Sequence, residues 1–119
     1  MFSDFSFAQD TVGFIIEGKM DRAAMDRLIA MILEKLEQHD YINLYLEDAS
    51  VQQFTFDAIN TAFWFPHKYK DRLRKVALVT DRKWIHALGG LNNMFLSTAI
   101  KNFPTQERMD AMCWIAKRS

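Results

Sequence analysis

The sequence predicts an α/β domain built on a central, mostly parallel five-stranded sheet, with an antiparallel first strand and four helices. Two observations predict it. Short runs rich in β-branched and aromatic residues alternate along the chain with segments whose apolar residues recur at helical spacing, the pattern of strands joined by crossover helices. With only four Gly, two Pro and half its residues apolar, a chain of 119 residues has no room for a linker and enough apolar side chains for one core, so residues 1–119 are expected to fold as one domain.

The elements follow in order. From Phe2 to Phe7, phenylalanines alternate with Ser and Asp, which fits a short, half-exposed strand. Thr11 to Glu17 sets Val12, Phe14, Ile15 and Ile16 around Gly13, a second strand bounded by Asp10 and Gly18, and a Gln9-Asp10 turn would pair the two as a hairpin. From Asp21 the period becomes helical, with Met25, Leu28, Ile29, Ile32 and Leu36 on one face and Asp21 as N-cap. Tyr41 to Glu47 reads as a strand with Ile42, Leu44 and Leu46 on one face and Tyr45 on the other.

Phe54 to Tyr69 is a helix with an apolar face of Ile59, Ala62, Phe63 and Pro66. Trp64 falls on the opposite side, Phe65 at the margin, and Pro66 is expected to end or kink the helix. After the basic stretch from Lys68 to Lys75 comes a compact strand, Val76 to Thr80. Lys83 to Leu96 is helical, with Trp84, Ala87, Leu88, Leu91 and Phe95 in line and Gly89-Gly90 off that face, as close packing or a local break. Ile100 to Phe103 is the last strand. Pro104 starts a final helix whose inner face would carry Met109, Met112, Cys113 and Ala116.

Fifteen basic residues balance fifteen acidic ones, which removes any overall attraction to nucleic acid. The single cysteine, Cys113, cannot form an intramolecular disulfide and suits a reducing compartment. The start at Met1 lacks the features of a secretory signal, and no apolar run is long enough to span a bilayer, so a cytoplasmic location is expected.

Several phrases resemble the SpoIIAA-like family. They are the strand Ile42–Leu46 followed by Glu47-Asp48, the run Arg74-Lys75-Val76-Ala77-Leu78-Val79-Thr80-Asp81 with Lys83-Trp84 just after, and the closing Phe103, Glu107, Ala111 and Trp114-Ile115. The resemblance implies a STAS-type fold, related to the lipid-binding lobe of CRAL-TRIO proteins. In the anti-sigma-factor antagonists of that fold, a serine in an Asp-Ser pair opening the second helix is phosphorylated. Here the matching pair is Asp57-Ala58, and Ala58 has no oxygen to accept a phosphoryl group. Asp57 reads as a helix N-cap or first-turn acid.

Catalytic chemistry is sparse. His39, His67 and His86 are dispersed without metal-ligand spacing, Gly89-Gly90 lacks the rest of a phosphate loop, and Ser50 has no nucleophile context. No cofactor and no enzymatic activity are expected. Lys68, Lys70 and Arg72 form a candidate anion patch, with a solvated loop complementing the preceding helix's negative end as the plainer reading. Aromatic crowding is the more informative feature. Phe56, Phe63, Trp64, Phe65, Trp84, Met94 and Phe95 exceed what one face can bury, although core packing accounts for most such residues. They point to a surface for homodimerisation or protein contact in a binding or regulatory module. The alternative, implied by the resemblance, is a lipid-like ligand held between the sheet and the second and third helices.

Overall fold

A computed structural model describes residues 2–8, 10–69 and 71–117, with side chains from residue 10 onward. Five strands form one sheet in chain order: β1 (Phe2–Ala8), β2 (Thr11–Met20), β3 (Ile42–Phe54), β4 (Leu73–Val79) and β5 (Ala99–Phe103). Strands β2 to β5 run parallel, and β1 lies antiparallel against β2. Gln9, in the expected hairpin turn, lies outside the described residues.

Helices α1 (Arg22–Leu36), α2 (Phe56–Lys68) and α3 (Lys83–Phe95) connect the parallel strands. Neighbouring parallel strands in chain order, joined by crossovers of one hand, put all three helices on the same face of the sheet. Helix α4 (Arg108–Ala116) has no further strand to return to, and after a 3-10 turn at Thr105–Glu107 it packs on the other face.

Alternation along β3 serves both faces. Ile42, Leu44 and the half-buried Leu46 join Val12, Phe14, Ile16, Leu28, Ile32 and Val76 in the main core under α1 and α2. Tyr45 turns the other way, into a smaller core with Ala77, Val79, Phe103, Ala111 and Ile115 under α4. Each large apolar side chain so buried stabilises the fold by roughly 1.5–3 kcal/mol.

Sequence periodicity was misleading in five elements. Strands β2 and β3 run past Gly18 and Glu47. Gly18 sits within β2 at φ 77°, beside a register shift, a conformation that favours glycine, so it marks an irregularity and not an end. Helix α2 continues through Pro66 to Lys68 instead of ending near Phe65; the expected inner residues Ile59, Ala62, Phe63 and Pro66 do face the interior, joined there by the buried Ala58 and Phe65. Helix α3 turns Gly89 and Asn92 inward and leaves Leu91 and Phe95 exposed. In α4, Ala111 and Ile115 face inward, while Met109 and Cys113 are exposed.

The helix termini have physical causes. Asp21 accepts the Ala24 N–H at 2.9 Å and caps α1, a hydrogen bond that lowers its pKa. Thr55 is the N-cap of α2, and its hydroxyl donates to Asp57 at 2.6 Å, so Asp57 is the first-turn acid.

Candidate functional site

The inversion of α3 follows from its approach to the sheet. A Cβ on Gly89 would lie 2.8 Å from Leu78 Cδ1 and 2.9 Å from Asn102 Oδ1, so any other residue here would have to push those side-chain ends aside. Asn102 also donates to the His86 carbonyl at 3.0 Å, fixing the same contact. Once that side of the helix faces the sheet, the apolar stripe of Leu91 and Phe95 is directed outward. Asn92 then ties α3 to α2: its Nδ2 donates to the Phe63 carbonyl at 3.0 Å and its Oδ1 lies 2.7 Å from His67 Nε2.

The outer surface of these two helices is accordingly apolar. Phe56 is 85%, Met94 76%, Phe95 72%, Trp64 55% and Trp84 39% exposed. Phe56, Asn60 and Trp64 recur every fourth residue and form one stripe, with Trp64 Nε1 donating to Asn60 at 3.2 Å and its ring edge-on to Phe63. Two residues expected at this surface lie elsewhere. Phe65 is buried in the main core, its ring against Tyr69, and half-buried Phe63 points into a cavity.

That cavity, about 160 Å³, lies between the sheet and helices α1 to α3. Its walls are apolar except for Asp48, Thr80 and Asn92. Phe54 and Trp84, in edge-to-face contact at 5.3 Å, both line it.

Of the expected anion patch, Arg72 is engaged with the backbone. Arg72 donates to the carbonyls of Leu36 at 2.7 Å, His39 at 3.0 Å and Asp40 at 2.5 Å, so its guanidinium closes the end of α1. Lys68 is exposed, and Lys70 lies outside the described residues. Ala58, which the resemblance sets against the phosphorylated serine, is fully buried. It has no hydroxyl.

A second, polar cleft of about 480 Å³ was not anticipated. Glu47, Asp48, Asp81, Arg82, Thr105 and Arg108 line it at the C-terminal edge of the sheet. Asp48 accepts from the Val51 N–H at 3.1 Å, Thr80 Oγ1 at 2.8 Å and Arg82 Nε at 2.7 Å. Arg82 also donates to the Val51 carbonyl. Glu47 accepts from the Tyr45 hydroxyl at 2.6 Å and pairs with Arg108 at 3.0 Å. Burial raises the Tyr45 pKa, and the Glu47 carboxylate adds to the shift. Asp81 is held below its usual range by the Thr105 hydroxyl at 2.7 Å and the Thr105 N–H at 2.9 Å. The signal in the sequence was acids flanking the apolar strand runs, Glu47-Asp48 within β3 and Asp81 just after β4. The partners Arg82 and Arg108 are brought in by the turns that follow.

No group of three or more His, Cys, Asp or Glu that could hold a metal ion occurs among the described residues. No helix among them is long and apolar enough to cross a membrane.

The SpoIIAA-like family profile matches residues 11–116. No curated protein sequence matches the chain. Among solved structures, an uncharacterised protein from Shewanella loihica PV-4 with a SpoIIAA-like fold superposes with a TM-score of 0.74 at 15% identity, covering 96% of this chain and 93% of that one. The Bacillus cell fate determinant SpoIIAA in its phosphorylated form has a TM-score of 0.65 at 11% identity, covering 94% and 99%. The anti-sigma factor antagonist SpoIIAA in its unphosphorylated form gives 0.63 at 10% identity, covering 95% and 98%. At these identities the structures share the fold.

Proposed function

Because the chain belongs to the SpoIIAA-like family, we propose that it is a non-enzymatic binding and regulatory module. It acts through the outer surface of α2 and α3, against a protein partner of which a second copy of the chain is the first candidate. One observation carries this reading: Phe56, Trp64, Trp84, Met94 and Phe95 are exposed along two adjacent helices. Aromatic and Met side chains are enriched at protein interfaces: the aromatics bury large areas for few rotatable bonds, and Met fits itself to irregular partners. Since Ala58 cannot accept a phosphoryl group, control would come from occupancy of this face.

A second reading rests on the cavity of about 160 Å³. Apolar cavities of roughly 150 Å³ stay dry and accept a benzene-sized molecule. The cavity would take a small apolar ligand or the end of a longer, lipid-like one.

Native mass spectrometry of freshly purified protein separates the two. The first reading expects a dimer that Trp64→Ala converts to monomer. The second expects a mass increment on the monomer, untouched by Trp64→Ala and weakened by Phe63→Ala, since the Phe63 side chain lines the cavity, without any change of assembly. A ligand-free monomer at high concentration counts against both dimerisation and uptake.

A further inference from the structure

We propose that the cleft between Arg82 and Arg108 is a binding site for a small oxyanion of the phosphate class. It is distinct from the α2–α3 surface and independent of the function read there. The chain creates it by changing faces. After β3 and β4 the backbone turns to the helices of one face, but after β5 it turns to α4 on the other. Crevices at the carboxyl ends of parallel strands, where neighbouring connections diverge, are the usual ligand sites of open α/β sheets.

The cleft contains three carboxylates, two of them buried and the third, Asp81, exposed. Asp48 and Glu47 have side chains only 9% and 7% exposed, whereas their partners Arg82 and Arg108 are 34% and 46% exposed. Each buried acid thus lies beneath a guanidinium. Asp81 is the remaining acid, and its two oxygens accept from the Thr105 N–H and hydroxyl.

The guanidiniums, by contrast, keep donors in reserve. Arg82 uses Nε and one Nη on Asp48 and the Val51 carbonyl, and Arg108 donates to Glu47 and to the Tyr45 hydroxyl oxygen. Each has five N–H groups in a fixed fork. Anchoring one edge of the fork to a buried carboxylate restricts the side chain in advance, which lowers the entropy cost of binding an anion at the other edge. A carboxylate can satisfy both its oxygens on one guanidinium, while a phosphate has oxygens left for a second. Two guanidiniums from separate elements therefore favour phosphate.

The test is a titration of the full chain at constant ionic strength, with chloride making up the balance, followed by proton–nitrogen NMR of the backbone amides and the arginine Nε–H groups. Inorganic phosphate should give saturable shifts at Arg82, Thr105 and Arg108. Phosphoserine binding more tightly than phosphate would identify an ester as the ligand, and equal or weaker binding the free anion. Arg108→Gln should weaken phosphate by about tenfold, the scale of one charge-assisted hydrogen bond, while Lys68→Gln leaves it unchanged. Shifts that never saturate, that saturate only elsewhere, or that acetate reproduces at equal affinity overturn the proposal. So does a folded Arg108→Gln variant with unaltered affinity. If that variant does not fold, the shift map of the unmodified chain decides.

Discussion

Gly89 lies against Leu78 so closely that a methyl group added to it would meet Leu78 Cδ1 at 2.8 Å. Its neighbour Gly90 has nothing within 4 Å of the same added atom. Gly90→Ala is expected to raise stability by about 1 kcal/mol through helix propensity. Gly89→Ala gains the same propensity but overpacks the helix–sheet contact, which costs about 1–3 kcal/mol. Urea denaturation of the two variants should therefore place Gly89→Ala well below Gly90→Ala. Equal stabilities would mean that α3 rides over the sheet without needing the glycine.

The role of Arg72 is open to an equally direct comparison. Its three carbonyl partners belong to the end of α1 and the turn into β3. Arg72→Ala should cost about 1–3 kcal/mol, as expected when carbonyls lose charged donors. Lys68→Ala should stay within roughly 0.5 kcal/mol, the usual size for an exposed site. Thermal unfolding of both would check this. Similar small effects would return Arg72 to the solvated basic segment suggested by sequence.

Much of this architecture was legible because burial leaves periodic marks. Ile42, Leu44 and Leu46 alternate with Tyr45, and the structure separates them onto the two sheet faces. Met25, Leu28, Ile32 and Leu36 repeat at helical spacing and all point into the main core. In α3 the same rule fails, since its closest contact with the sheet is made by the residue with no side chain. Close approach demands a small inward face, so Gly89 and Asn92 replace the expected hydrophobes and the strongest apolar stripe faces solvent. The polar cleft was hidden for another reason. Asp48 and Arg82, or Glu47 and Arg108, are far apart in sequence and meet only through strand order.

Asn92 should be a sensitive position for the proposed surface, because it holds α2 and α3 together. Replacing it by Leu removes the bonds to the Phe63 carbonyl and His67 at similar volume. A loss of about 1–3 kcal/mol is expected, with faster hydrogen exchange concentrated in α2 and α3. Exchange that rises evenly over the whole chain would show that the helices are held by the core alone.

Tyr45 predicts how the fold responds to alkali. Its hydroxyl donates to Glu47 inside the smaller core, and burial together with that carboxylate raises its pKa above the ordinary value. In the unfolded chain a tyrosine loses its proton near pH 10, whereas the folded chain retains it. Above that pH the folded state binds the extra proton, so stability falls as pH rises and is fully present below it. One such group gives a slope of about 1.4 kcal/mol per pH unit between the unfolded and folded pKa values. Tyr45→Phe should lower stability at neutral pH by about 1 kcal/mol through the lost hydrogen bond and flatten the alkaline limb by one proton. Chemical denaturation at a series of pH values reads both effects. An unchanged alkaline slope in Tyr45→Phe would assign the proton to another group.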